Sequence, residues 1–345
     1  MKCTFCEFRC TIPEGAVGRC GIRYNDGGVI RTVNYGEHVS LAVDPVEKKP
    51  LYHVLPGAQA LSSALFGCNF TCSFCQNCTI SQPQYRTSSR TRFISPTELA
   101  AEAEQGGHPL VAFTYSEPTV WSDYVVDAAK AVAEAGARSV MVTNGYFTEE
   151  TLGRLLPHIV AFNIDLKGGD AFYRALCGAR LGPVLRNIRT IAQMSDPPVL
   201  EVTTMLLESE HSESEIMELA HAIDEAGVAV WHLSAFRPAS RMSNRAGTTA
   251  AFLERIYDRA RRETRIPHIY AFSRARAEFA NTYCAACGAL CIERSGFAVA
   301  RDLHRRRQLP VVRRNALRPV FLIPRAPAQF PGQRRRIRML DERAL

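Results

Sequence analysis

The amino-acid sequence predicts an α/β fold, a partial (β/α) barrel over residues 58–275 with small cysteine-rich units before and after it. Short β-branched apolar runs alternate there with amphipathic stretches of helical period, a pattern typical of βα units around a parallel sheet or barrel. Polar residues follow several of these runs, where such sheets hold ligands. Because periodicity does not reveal closure, a doubly wound open sheet is the alternative.

Seven apolar runs are predicted as strands, and six stretches between them as helices. The strands are 60–66, 110–116, 138–144, 160–167, 199–207, 229–236 and 268–272, and the helices are 96–106, 119–135, 148–158, 181–194, 213–226 and 249–264. Helix starts carry capping residues such as Ser95 and Thr148, and helices end at glycines such as Gly136 and Gly227. Six or seven such units fit a partial or full barrel.

The net charge of +8 is unevenly distributed along the chain. Residues 304–345 contain 12 Arg, no Lys and 2 acidic residues, so the rest of the chain carries a net charge of −2. With 46% hydrophobic and 22% charged residues, the composition excludes collagen and wholly disordered proteins. No window reaches the roughly 18 apolar residues of a membrane span, and the N-terminus lacks an apolar export segment. We therefore expect a cytoplasmic protein.

The cysteines occur in groups, as a metal centre requires, because several thiolates must converge. The central group, Cys68, Cys72 and Cys75, has the spacing C-x3-C-x2-C. Three thiolates can hold three corners of a [4Fe–4S] cluster and leave the fourth iron open to a cofactor. The alternative is a zinc knot completed by Cys78 or a histidine, but zinc knots favour C-x2-C pairs. We expect Cys78 and Cys177 to be apolar filler.

Other polar residues are expected at the same rim of the sheet. They are Glu117, Asn144, Asp165, Lys167 and His232, each at or near the end of a predicted strand. A thiolate group, carboxylates, a lysine and an imidazole on one rim indicate an active site.

Several stretches resemble the radical S-adenosylmethionine (SAM) superfamily. Its hallmark is C-x3-C-x2-C with an aromatic residue before the last cysteine, matched here by Phe74 in GCNFTCSFCQN (67–77). In order along the chain, DPVEKKPLYHVLPG (44–57), FTYSEPTVW (113–121), VTNGYFT (142–148), NIDLKG (163–168), WHLSAFRP (231–238) and NTYCAACGALCIERSGF (281–297) are similar to the AmmeMemoRadiSam-system radical enzymes. These are relatives of pyruvate formate-lyase activating enzyme.

The resemblance implies roles for individual residues. Cys68, Cys72 and Cys75 would ligate a [4Fe–4S] cluster whose open iron chelates SAM. Tyr115-Ser116-Glu117 stands where the superfamily has Gly-Gly-Glu, so Glu117 would accept hydrogen bonds from the methionine ammonium. Asp165 and Lys167 match an Asp-Leu-Lys motif, which implies ribose and carboxylate contacts. Asn144 and His232 are candidates for cofactor contact, with a turn residue and a core histidine as the respective alternatives.

The activity implied is reductive cleavage of SAM to a 5′-deoxyadenosyl radical that abstracts hydrogen from a substrate. The resemblance implies a reductant such as flavodoxin or ferredoxin, and a glycyl residue of a partner protein as substrate. A small-molecule substrate is the alternative within this chemistry. An alternative of another class is a metal-stapled protein whose arginine tail binds nucleic acid. The tail lacks Lys, Tyr and Trp, so we do not expect nucleic-acid binding.

The terminal units are predicted from their cysteines and charge. Residues 1–57 form a cysteine-rich segment and linker in which Cys3, Cys6, Cys10 and Cys20 are expected to bind a structural zinc, or alternatively a second iron–sulfur cluster. Residues 276–303 resemble half a zinc ribbon, with Cys284 and Cys287 as one knuckle and no second C-x2-C after it. Residues 304–345 are predicted to be disordered, and our hypothesis is that a frameshift near Leu303 replaced the missing knuckle.

Overall fold

The computed structural model describes residues 1–88, 90–272 and 276–303 of the 345-residue chain. The arginine-rich tail predicted over residues 304–345 lies outside them. The strands are β1 (Arg23–Asp26), β2 (Val29–Thr32), β3 (Glu37–Pro45), β4 (Gln59–Leu65), β5 (Arg92–Phe93), β6 (Leu110–Phe113), β7 (Arg138–Thr143), β8 (Ile159–Asp165), β9 (Val199–Leu206), β10 (Val230–Ala235), β11 (His268–Ala271), β12 (Thr282–Tyr283), β13 (Leu290–Ser295) and β14 (Ala298–Asp302). The helices are α1 (Cys78–Ser81), α2 (Pro96–Gln105), α3 (Ser122–Glu134), α4 (Glu149–Leu155), α5 (Asp170–Phe172), α6 (Leu181–Ala192), α7 (Glu213–Glu225) and α8 (Ala250–Glu263).

The main sheet has nine strands in the order β11-β10-β9-β8-β7-β6-β4-β3-β5. From β4 to β11 each parallel strand lies beside the one before it, without the reversal of order that defines a doubly wound sheet. The doubly wound alternative is therefore wrong. β5 and β11 are the edges of this sheet in the described part of the chain, so the barrel is open.

The seven predicted strands and six predicted helices are confirmed, with ends that differ by a few residues. The capping residues act as expected. Ser95 and Glu98 form a reciprocal capping box at the start of α2, and the Thr148 hydroxyl accepts from the Thr151 amide at the start of α4. Gly136 adopts a φ of 80° just beyond the end of α3, a conformation that costs glycine little.

One face of the sheet packs against the helices. Leu61, Phe113, Phe162 and Trp231, from four different strands, share one buried cluster with Ile188 of α6. Each of the five side chains is at most 1% exposed, and burial of one such side chain contributes about 2 kcal/mol to the free energy of unfolding. This face forms the main hydrophobic core.

Residues 46–58 cover part of the opposite face. Their apolar side chains Val46, Leu51, Val54, Leu55 and Ala58 pack on the small or apolar residues Ala60, Leu110, Ala112, Val140 and Ala161 of four parallel strands. The Asn163 side-chain amide donates from Nδ2 to the Pro50 carbonyl (2.8 Å). The Glu201 carboxylate accepts from the backbone amides of Tyr52 (2.9 Å) and His53 (2.8 Å). The segment is therefore bonded to β8 and β9.

The boundary predicted between residues 57 and 58 falls between two strands of one sheet. β3 pairs antiparallel with β4 along its length, from His38–Leu65 to Pro45–Gln59. Residues 37–45 thus form a strand, and residues 46–58 after it form a cover segment whose apolar side chains pack on strands later in the chain.

Both terminal units dock on the main sheet and its helices. Near the N-terminus, the buried Arg23 guanidinium bonds the Asp123 carboxylate of α3 (2.9 Å) and lies over the Phe5 ring. Near the C-terminus, β12, β13 and β14 form a three-stranded antiparallel sheet. Its Arg294 is buried and donates to the Tyr52 carbonyl (2.8 Å). No helix in the described ranges is long and apolar enough to cross a bilayer.

Candidate active site

The central cysteines lie in the loop between β4 and α1, at the carboxyl end of β4. Cys72 is buried, whereas Cys68 and Cys75 are half-buried. Backbone bonds hold this loop against a π-helical turn, Tyr173–Cys177: the Thr71 amide donates to Cys177 O (3.0 Å) and the Ser73 amide to Leu176 O (2.8 Å). The loop is thus fixed at the rim where parallel sheets hold ligands.

The environment of the three thiols differs from one to the next. Burial raises the pKa of Cys68 well above its usual range and also raises the pKa of Cys75. A hydrogen bond from the Cys177 thiol lowers the pKa of Cys72, and the Lys167 ammonium lowers it further. Cys177, expected to be core filler, is buried and contacts a central cysteine.

Glu117 follows β6 and is buried beside the cysteine loop. Its Oε1 accepts from the Thr119 amide (3.0 Å) and hydroxyl (2.5 Å) and from the Thr143 hydroxyl (2.6 Å). Its Oε2 accepts from the Asn144 amide (2.8 Å). Burial raises the pKa of Glu117, while these hydrogen bonds oppose the rise. A carboxylate oxygen can accept more than one hydrogen bond, so Oε2 can accept a second one beside that from the Asn144 amide.

Asn144 follows β7 and contacts both its own turn and the cysteine loop. Its Oδ1 accepts from the Tyr146 amide (3.0 Å), and its Nδ2 donates to Asn69 Oδ1 (2.7 Å). Gly145 next to it has a φ of 69°. Asn144 therefore has the geometry of a turn residue and also touches the residue that follows Cys68.

Asp165 and Lys167 form an ion pair at the end of β8. Lys167 Nζ lies 2.7 Å from Asp165 Oδ2, and the two side chains are 16% and 35% exposed. Although burial opposes it, the Asp165 carboxylate and the nearby Cys72 thiol raise the pKa of Lys167 well above its usual range. The pair thus places a fixed cation beside the cysteine loop.

His232 lies on the same row of the sheet as Asp165. Strand register aligns His232 with Thr203, and Thr203 with Asp165. The imidazole is buried, with Nε2 2.6 Å from Glu201 Oε2, and it stacks on the Tyr270 ring. Its environment is that of a hydrogen-bonded core histidine at the level of the rim.

The structure brings together residues that the sequence analysis did not select. Asn69 joins Asn144 to the cysteine loop, and Asn77 Nδ2 donates to the Tyr115 carbonyl (2.9 Å). Asp44 of β3 and Lys49 of residues 46–58 are buried and contact the Tyr115 side chain. The sequence pointed to Asp44 and Lys49 only as part of the stretch 44–57. Their contacts with Tyr115 could not be predicted, because these residues are distant from it in sequence.

Two sequence comparisons identify the family. A sequence model described as the Radical SAM superfamily matches residues 63–233, which include the cysteine loop. The uncharacterized protein MJ0808 of Methanocaldococcus jannaschii is 37% identical over 298 residues, 85% of this chain and 87% of that protein. The chain belongs to the radical SAM superfamily. Membership implies SAM cleavage through an iron–sulfur cluster.

Two crystal structures are similar to parts of this chain. Streptococcus suis SuiB bound to S-adenosylmethionine is 15% identical, with a TM-score of 0.49 over 66% of this chain and 54% of SuiB. A domain of a pyruvate-formate lyase-activating enzyme from Bacteroides vulgatus is 17% identical, with a TM-score of 0.41 over 47% of this chain and 98% of that domain. The chain spans about half the length of SuiB.

The donor chemistry of the cysteine loop fits the radical SAM cluster. Within the residues that the structure describes, no three His, Cys, Asp or Glu side chains are arranged to hold one metal ion. A [4Fe–4S] cluster does not require that arrangement, because each thiolate binds a different iron. Three thiols lie within eight residues of one loop, with Phe70 and Phe74 buried between them.

The N-terminal cysteines of this radical SAM chain share a small cavity. Cys3, Cys6, Cys10 and Cys20 all line it, together with Asn69 of the cysteine loop. The first, second and fourth of these thiols are buried. The cavity lies against the central site, but within the described ranges its thiols do not have the arrangement of ligands to one ion.

The C-terminal cysteines lie around the turn that leads into β13. Cys284 and Cys291 are buried, while Cys287 is exposed. The Gly288 amide donates to Cys284 O and the Cys284 amide to Ala289 O, both at 2.8 Å. Burial raises the pKa of Cys291 to about 12, with the neighbouring Cys284 and Cys287 adding to the rise. Cys291 therefore joins the two predicted cysteines as a third thiol.

Proposed function

We propose that this radical SAM protein holds a [4Fe–4S] cluster on Cys68, Cys72 and Cys75 and uses it to cleave SAM. When bound, the cluster supplies the electron that converts SAM to methionine and a 5′-deoxyadenosyl radical, which abstracts hydrogen from the substrate. The observation that carries the proposal is the placement of the three thiols in one loop at the carboxyl end of β4, beside the buried Glu117 carboxylate and the Lys167 ammonium.

Different residues around the cysteine loop contact different groups of SAM. Glu117 accepts from the methionine ammonium, for which the spare capacity of Oε2 is suited. Asp165 and Lys167 contact the ribose and the carboxylate, because one provides acceptors and the other a cation. Asn144 and His232 are assigned to cofactor contact as well. The contact of Asn144 with Asn69 supports the first of these, while the bond to Glu201 limits what His232 Nε2 can reach.

The substrate proposed is a glycyl residue of a partner protein, with a small molecule as the alternative. Support comes from the ordered motifs that resemble the AmmeMemoRadiSam-system enzymes and pyruvate formate-lyase activating enzyme. The electron donor proposed is flavodoxin or ferredoxin, and the compartment proposed is the cytoplasm. Residues 1–303 carry a net charge of −2, which argues against a nucleic acid as the substrate.

Anaerobic reconstitution tests this function. The protein with iron, sulfide, dithionite and SAM is expected to bind about four irons at the central site and to release 5′-deoxyadenosine and methionine in equal amounts, measured by chromatography. Zinc in place of iron at Cys68, Cys72 and Cys75, with no 5′-deoxyadenosine, would overturn the proposal and favour a metal-stapled binding protein.

We also propose a structural zinc at Cys3, Cys6, Cys10 and Cys20, because four thiols line one cavity and tetrahedral zinc takes four thiolates. The thiols would have to move closer together on binding, since in the described ranges they are not arranged as ligands to one ion. In a Cys72→Ser background, which isolates this site, elemental analysis is expected to find about one zinc per chain. Cys3→Ser should remove it, and Cys78→Ser should not. About four irons without zinc would identify a second iron–sulfur cluster instead.

Cys284 and Cys287 are proposed as half a zinc site that retains metal poorly.

A further inference from the structure

Tyr115 has a backbone conformation that residues other than glycine seldom adopt. Its φ is 67°, in the left-handed region where a residue other than glycine costs on the order of 1–3 kcal/mol. It occupies the first position of Tyr115-Ser116-Glu117, two residues before the buried Glu117 carboxylate. Such a conformation persists only where surrounding contacts impose it.

Both ends of Tyr115 are held by other parts of the chain. Its hydroxyl donates to the Asp44 carboxylate of β3, and its carbonyl accepts from Asn77 Nδ2, at the end of the cysteine loop. The ring itself is half-buried, and Lys49 Nζ lies 4.1 Å from its centroid. A cation over an aromatic face adds on the order of 1 kcal/mol.

Asp44 is a firm anchor for the hydroxyl. Its carboxylate also accepts from Lys49 Nζ (2.6 Å), Lys48 Nζ (2.7 Å) and the Ser62 hydroxyl (2.9 Å). Asp44 and Lys49 are both buried. Although burial opposes it, the two lysines lower the pKa of Asp44 below its usual range, so the carboxylate stays charged. Its position is fixed by the antiparallel pairing of β3 with β4.

The constraint on Tyr115 extends to Glu117. Ser116 Oγ donates to Leu65 O (2.5 Å), and the Glu117 amide donates to Gly67 O (3.0 Å), next to Cys68. Only one residue separates Tyr115 from Glu117. The backbone angle at Tyr115 therefore helps to decide where the Glu117 carboxylate stands relative to the cysteine loop.

We propose that Tyr115, anchored by Asp44, is a positioning residue that holds Glu117 for SAM binding. The inference rests on the proposed function. Tyr115 acts through the backbone, because its side chain is held by Asp44.

Three variants test the anchor. Tyr115→Phe removes only the hydroxyl. Tyr115→Gly removes the anchor but permits a φ of 67° without strain. Tyr35→Phe is the matched control, because its hydroxyl also donates to an aspartate, Asp127 (2.7 Å), away from the site. Two measurements are made: SAM affinity by anaerobic equilibrium dialysis of reconstituted protein, and amide hydrogen exchange of peptides covering residues 113–121 without SAM.

We expect Tyr115→Phe to weaken SAM binding about tenfold, because a hydrogen bond to a charged group is lost, and to exchange faster over residues 113–121. Tyr115→Gly should stay within about twofold of the unmodified protein in affinity, and Tyr35→Phe should change neither measurement. Wild-type affinity in Tyr115→Phe overturns the inference, as does an equal loss in Tyr115→Gly. If the unmodified protein neither binds nor cleaves SAM, the proposed function fails, and unchanged exchange in Tyr115→Phe separately overturns the anchor.

Discussion

Replacement of Cys72 by serine is expected to reduce the iron bound after reconstitution from about four per chain to near zero and to abolish 5′-deoxyadenosine formation. Cys72 is the middle cysteine of the loop and the most buried of the three. A serine hydroxyl would replace the thiolate that a cluster iron requires. Iron analysis and chromatography of the SAM products measure the two effects.

Cys78→Ser provides the matched control for this experiment. Cys78 is three residues beyond Cys75, at the start of α1, and is half-buried. It lies outside the C-x3-C-x2-C spacing, so this variant should keep its iron and its activity. Loss of iron in Cys78→Ser with retention in Cys72→Ser would show that the ligands have been assigned wrongly.

The second large effect is expected at Glu201. Its side chain is fully buried and accepts from the amides of Tyr52 and His53 and contacts His232 Nε2 at 2.6 Å. Glu201→Ala leaves three buried polar groups without this partner, and each such loss costs about 1 kcal/mol or more. We expect the free energy of unfolding to fall by about 3 kcal/mol, measured by urea denaturation at pH 7.

Glu218→Ala is the control for Glu201, because Glu218 is exposed on α7 and should change the free energy of unfolding by less than about 0.5 kcal/mol. If the two variants are equally stable, the contacts of Glu201 with residues 52–53 do not hold the cover segment in place.

Sequence patterns predicted the seven parallel strands of the main sheet and six of the helices, because these elements have regular apolar periods and local capping residues. The antiparallel strands β3 and β5 were not predicted. The cover segment could not be predicted in this way. Residues 46–58 have no clear period, and their burial depends on Asn163 and Glu201, more than 100 residues away. Openness of the barrel and the order of the strands also depend on pairing rather than on local sequence.

The cysteine loop was predictable because its three thiols lie within eight residues of each other. The anchor of Tyr115 was not, since Asp44 is 71 residues away and no local pattern predicts a left-handed tyrosine. The neighbouring site residues Glu117, Asn144, Asp165 and Lys167 could be selected from their positions after strands. Their hydrogen-bond partners required the folded chain.

The cover segment has a consequence for how the chain folds during synthesis. Its bonds to Glu201 span 148 and 149 residues, and the bond from Arg294 to the Tyr52 carbonyl spans 242. Contacts between residues so far apart in sequence form slowly, because a large loop must close first. Residues 46–58 therefore leave the ribosome early, but their bonds to Glu201 and Arg294 cannot form until β9, and then β13, have been synthesised. A stretch near the start of the chain is among the last to reach its native contacts.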